Sequence, residues 1–251
     1  MLCDVYIMPL WRFKAGDICL AEAADQTSGS SASAGRGPLQ ALRKFWARDA
    51  VRRIRSAVEA ENDVTIDWRD EGPLVYHRAG EEFQALRAYA RWLESPAEGR
   101  SQFETPPAGN YYKHAVWKTK RRCNNFPQLV DHDCCFGYYL PCAFERLTRV
   151  EPRKVERWTF LRAVGSSPRL LDELQRLGMI FAAESAAHIP DDATRHEVLA
   201  AHRQLCEIAE LSCLHGLPVI LGRQGYPQRT RSQRRNRALA FWPRTASTPA
   251  G

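Results

Sequence analysis

The chain has 251 residues, 44% of them hydrophobic and 26% charged, with a formal net charge of +7, which is enough apolar material for a core and an ordinary charge density for a globular protein. No apolar run approaches the roughly 18 residues of a membrane span. The first apolar stretch, Met1 to Met8, lacks a basic start and contains Asp4, so neither a membrane protein nor a secreted one is expected.

Seven arginines and no acid follow Gly222 (Arg223, Arg229, Arg231, Arg234, Arg235, Arg237, Arg244), so residues 1–221 are formally neutral and the excess charge belongs to the last segment. Without an export signal the eight cysteines are read as reduced thiols and the chain as cytoplasmic.

In chain order, residues 2–8 read as a strand closed by Pro9. Residues 27–37 are a Gly/Ser/Ala linker unable to bury enough surface to order itself. A helix runs from Pro38 to about Ala60, with Leu39, Leu42, Trp46, Ile54 and Val58 near the helical period and Arg48, Arg52 and Arg55 on another face. Val64 to Trp68 and Leu74 to His77 read as two strands of a hairpin turned by residues 69–72. Residues 81–94 form an amphipathic helix with Phe83, Leu86, Ala90 and Leu93 on one side, followed by a Pro/Gly-rich loop.

The densest stretch is Phe126 to Glu145, in which Phe136 to Leu140 reads as a strand approached by Asp131, His132 and Asp133. Gly137 there permits another backbone to come close, or a bulge. Period-two alternation places Tyr138 and Leu140 on one face and Tyr139 on the other, so one tyrosine is expected in the core and the other nearer the surface. Further on, Ser167 reads as the cap and Pro168 as the first residue of a helix with Leu170, Leu174, Leu177 and Phe181 inside. The longest helix is expected from Pro190 to His215, stopped by Gly216 and Pro218, before a last strand at residues 219–221.

These elements make an α+β protein of short strands and about four helices. Residues 1–26 and 38–222 form one body, 27–37 a disordered linker, and 223–251 a disordered basic tail.

The blocks Asp4-Val-Tyr-Ile-Met-Pro-Leu-Trp-Arg-Phe13, His132-x-x-Cys135-x-Gly-Tyr-Tyr-Leu-Pro141 and Gly165-Ser-Ser-Pro-Arg-Leu-Leu171 resemble a set of small uncharacterised bacterial proteins. Their central pattern is His-Ser-Asp-Cys-x-Gly-Tyr-Tyr-Val/Leu-Pro. The resemblance spans scattered blocks between about residues 4 and 221. It implies a compact cytoplasmic α+β protein and no known activity. Here Asp133 stands in place of Ser and Cys134 in place of Asp, so no catalytic role transfers.

Three chemistries were open to the residues themselves. Cys123, His132, Cys134, Cys135 and Cys142 offer zinc ligands, but without the paired Cys-x2–4-Cys units of structural sites. His132 with Cys135 offers a nucleophile pair, but no fold context supports it. His196, Glu197 and His202 miss the zinc-protease spacing, because the second His falls six positions on instead of four. His202, Cys206 and Cys213 share a helix face with Leu199 and Ala209 and read as a packed stripe. No cofactor and no metal are therefore expected, and no catalytic site is assigned.

The function expected is a binding protein, immunity-like or regulatory, that meets another protein through Asp131, His132, Asp133, Tyr138 and Tyr139. The alternative is non-specific nucleic-acid binding through Arg229, Arg231, Arg234, Arg235 and Arg237. A third reading is a Cys/His hydrolase or zinc protein built on residues 131–142.

Overall fold

The computed structural model describes residues 3–15, 38–80, 82–95, 102–104, 122–132, 137–150, 162–183 and 192–223. Among these, six strands form one mixed sheet and six helices cover it, an α+β architecture. In chain order the elements are β1 (Cys3–Ile7), α1 (Leu10–Ala15), α2 (Pro38–Asn62), β2 (Val75–Ala79), α3 (Glu82–Leu93) and α4 (Pro127–Val130). They continue with β3 (Gly137–Leu140), β4 (Thr148–Val150), β5 (Arg162–Ser166), α5 (Ser167–Ala183), α6 (Asp192–His215) and β6 (Val219–Arg223). The expected linker 27–37 and the expected tail beyond Arg223 lie outside the described residues.

The sheet order is β2-β1-β6-β3-β5-β4. Every neighbouring pair is antiparallel except β3 with β5. Its residues alternate between two cores, as a pleat requires. Val5, Ile7, Tyr139, Val219 and Leu221 face one way, into a core closed by α3, α5 and α6. Tyr6, Met8, Tyr138, Leu140 and Ile220 face the other way, toward α1 and α2. Strands covered on both faces read as continuous apolar runs, as in Val219-Ile-Leu221.

The helix ends follow local chemistry. Helix α6 closes with a Schellman motif, in which Gly216 at φ +63° donates to Cys213 O and Leu217 donates to Ser212 O. Helix α5 begins one residue earlier than expected. Ser166 is its cap, accepting the Arg169 N–H at 3.3 Å, while Ser167 is already helical and bonds Ser212 across the core. At 25 residues α2 outruns the 24 of α6, reversing the expected order of length.

The expected hairpin is corrected. Residues 64–69 join no ladder, and β2 pairs with β1 instead. Ile66 and Trp68 do alternate inward, at 4% and 7% exposure, so the segment is extended. Its amides, however, go elsewhere: Ile66 N–H to Glu59 Oε1, Trp68 N–H to Asp67 Oδ1 and Arg69 N–H to Gly216 O. Period two reports extended backbone and does not distinguish it from a paired strand.

Candidate functional site

The central stretch is organised by α4, a single turn whose backbone groups are satisfied by side chains from three other elements. Pro127 has no N–H, so the next two donors, on Gln128 and Leu129, go to the two oxygens of Glu173 on α5, each at 2.9 Å. At the other end Arg87 of α3 donates through Nε to Leu129 O at 3.1 Å and through Nη2 to Val130 O at 2.6 Å. The Gln128 carbonyl accepts the Tyr139 hydroxyl at 2.8 Å. A carboxylate at the start of a helix and a cation at its end each suit its dipole.

Glu173 is 3% exposed. Burial pushes its carboxyl up to about 8, against the pull of the two amides and of Arg176. The sequence contained a signal for this pair: Arg87 and Glu173 lie on the apolar stripes of their helices, and charges there seldom stay buried unpaired. Neither was singled out from the sequence.

His132 is fully buried. It stacks on Tyr139 with ring centroids 4.0 Å apart, and its Nε2–H donates to the Tyr138 carbonyl at 3.1 Å. Asp131 accepts the Cys123 N–H at 3.1 Å. Burial raises its pKa, opposed by that amide and by Arg91 and Arg87. Gly137, at φ +142°, lies against β5: a Cβ there would collide with the Ala163 carbonyl oxygen and approach His132 Cε1 to 2.8 Å. The close backbone approach expected at this glycine is thus that of β5.

Tyr138 and Tyr139 occupy opposite faces but are 1% and 0% exposed, so the expectation that one lies nearer the surface is corrected. The sheet has a helical layer on each side, and β3 is an interior strand. The Tyr138 hydroxyl accepts from Arg162, and the Lys14 Nζ lies 5.3 Å from its ring centre. Although burial opposes it, these two cations bring the phenol below its ordinary pKa. Asp133 and Arg229, Arg231, Arg234, Arg235 and Arg237 lie outside the described residues.

The thiols behave as packing groups. Burial pushes Cys142 and Cys206 up to about 11, and a protonated thiol is a poor nucleophile. His202 donates through Nε2 to Leu174 O at 2.8 Å and meets the Phe181 ring edge-on, with Cys206 Sγ 3.7 Å from the same nitrogen. Among the described residues no three His, Cys, Asp or Glu side chains are grouped to hold a metal. Cys134 and Cys135 are outside that set.

The surface is charge-segregated along one element and its continuation. Residues 43–55 of α2 carry Arg43, Lys44, Arg48, Arg52, Arg53 and Arg55 against Asp49 alone. Residues 59–71 reverse this, with Glu59, Glu61, Asp63, Asp67, Asp70 and Glu71 against Arg69. Glu61, Asp63, Asp67, Asp70 and Glu71 are all exposed. Arg55 anchors the acidic segment to the helix by pairing with Asp67 at 3.1 Å while lying 4.5 Å from the centre of the Trp68 ring. The sequence displays these acids openly, and Asp67, Asp70 and Glu71 fall within the expected hairpin.

Residues 1–221 match a protein-family model described as "Putative DNA-mimic protein". The match covers the body and stops short of the arginine-rich segment. No curated protein and no solved structure matches the chain.

Proposed function

We propose, since the chain belongs to this putative DNA-mimic family, that it is an interaction protein whose partner is a DNA-binding protein and which takes the place of DNA on it. The family match over residues 1–221 is the observation that carries this reading. A surface built to hold DNA is basic and gains affinity by neutralising phosphates. A protein competing for that surface needs exposed carboxylates held by something rigid.

The segment from Glu59 to Glu71 supplies them, and we assign it the contact. Its first four residues are the last turn of α2, and the rest is held by Ile66 and Trp68 in the core, with Arg69 bonded through its amide to Gly216. Four of the six acids lie on the nine residues beyond the helix, about one charge per 7–8 Å of extended chain. Duplex DNA carries one per about 1.7 Å. The ridge therefore stands for a short stretch of one strand, and shape must supply the rest of the fit.

In this reading the buried network of Glu173, Arg87, His132, Tyr138 and Tyr139 holds the scaffold. Asp131 and Asp133 are assigned no more than a supporting part in recognition. The role is regulatory or immunity-like, because a protein occupied by the mimic is kept from DNA. The arginine-rich segment is not favoured as a nucleic-acid site, since the family is described as a DNA mimic and its match ends at residue 221.

The test uses the full chain and a variant with Glu61→Gln, Asp63→Asn, Asp70→Asn and Glu71→Gln as paired baits on a cell extract. Proteins retained by the wild type should be DNA-binding proteins. Duplex DNA should release them, and raising salt should weaken the complex steeply. The amide variant should lose them while keeping its melting temperature. Equal capture by both baits, or captured proteins indifferent to duplex DNA, would remove the ridge from the function.

A further inference from the structure

We infer that α2 pairs with α2 of a second copy of this chain, in an antiparallel dimer about a two-fold axis beside Asp49. Residues 41–46 of α2 are all exposed, and three of them are large and apolar: Leu42 at 50%, Phe45 at 57% and Trp46 at 46%. Phe45 and Trp46 meet edge-to-face with centroids 5.6 Å apart, forming one aromatic knob on the helix surface. Lys44 and Arg48 lie over Trp11 of α1, on the flank that packs against the body.

Continuing along the outer face, the knob is followed by Asp49, then by Arg52 and Arg53, then by exposed Ser56. Asp49 holds Arg52 at 3.8 Å and Arg53 at 3.5 Å. The spacing of this stripe follows the three- and four-residue rhythm of a helix face. Aromatics therefore lie on one side of Asp49 and guanidinium groups at equal distance on the other.

That order is complementary to itself when reversed, which is the condition for an isologous two-fold interface. Centred on Asp49, the antiparallel pairing sets Phe45 opposite Arg53 of the second copy and Trp46 opposite its Arg52. Each aromatic knob thus receives a cation over its rings. Leu42 packs beside Ser56. The acids at the axis are each held by their own two arginines.

A nucleic-acid strand is the competing occupant of a basic and aromatic face. Asp49 sits in the middle of this one and would face a phosphate, and it already engages both arginines. The second copy is favoured because its pairing lets each Asp49 keep its own two arginines, for which a phosphate would compete. Because the pairing leaves residues 63–71 uncovered, it stands independently of the function proposed above.

An interface confined to one helix face of about 22 Å belongs to the small, transient class. Sedimentation equilibrium of the full chain should therefore give a monomer–dimer Kd of about 10–100 µM. Phe45→Asp should weaken it at least about tenfold, and so should Arg52→Glu with Arg53→Glu, all at unchanged melting temperature. Met179→Asp, exposed on α5 at 65%, should leave it unaltered. A chain that stays monomeric to several hundred micromolar, a dimer indifferent to Phe45→Asp, or a monomer that binds a single-stranded oligonucleotide through Phe45 and Trp46 would each overturn the pairing.

Discussion

Gly137 sits where β3 comes hard against β5. A glycine inside an aromatic strand signals that something must come near. The neighbour is the Ala163 carbonyl, and φ there is +142°, a backbone conformation that L side chains rarely adopt. Gly137→Ala combines that strain with a collision against main chain, which cannot swing aside. It should lower stability by about 3 kcal/mol, measured as a shift in the urea midpoint, and an unchanged midpoint would refute the close approach. That close approach was legible from the residue alone. The depth of Tyr138 and Tyr139 was not, because alternation assigns a residue to a face but says nothing of what covers that face. Only the docking of α1 and α2 on one side, and of α3, α5 and α6 on the other, makes both interior.

At the scale of elements, the sequence revealed the long helices and the strands with apolar runs, and missed those whose reason lies in another part of the chain. Helix α4 is four residues long and has no periodicity to detect; it exists because Glu173 and Arg87 complete its ends. Strand β5 was missed because Arg162 to Ser166 contains a glycine and leads directly into α5, and β4 because three residues are too few to show an alternation. The acidic ridge, the proposed contact, was visible as composition, but nothing local said that residues 64–69 would stay off the sheet. Glu173 makes the α4 junction sensitive to pH. Its folded-state pKa of about 8 exceeds its ordinary 4.5, so between those values the folded state binds more protons than the unfolded chain. Stability must then fall as pH rises across that window, by up to about 1.4 kcal/mol per pH unit. The difference in unfolding free energy between wild type and Glu173→Gln, followed by denaturant titration from pH 5 to pH 8, should show the wild type losing ground steadily. A flat or rising difference would mean that the carboxylate is fully ionised against its two amides.

For the whole molecule, the pattern of expected elements conveyed the α+β class and the charge count the neutral body, whereas strand order depended on pairings between distant parts of the sequence. Strand β6 lies between β1 and β3, with Cys3 opposite Arg223 and Tyr138 opposite Ile220. Without it the sheet separates into β2–β1 and β3–β5–β4. We propose on this ground that residues 1–26 and 38–222 fold as one domain. A chain ending after Leu217 should show no cooperative thermal transition by circular dichroism, and one ending after Arg223 should melt as the full chain does. Two separately stable fragments divided near residue 100 would defeat the proposal. The position of β6 also bears on how the protein is made. Strand β1 can find β2 once Ala79 has emerged from the ribosome, but its other edge waits for β6, about 140 residues later. At ordinary rates of synthesis that is a delay of about 7–30 s, during which an apolar strand edge stands open to pair with a neighbouring nascent chain. Crowded translation, and not heat, is the condition under which this protein should be most prone to aggregate.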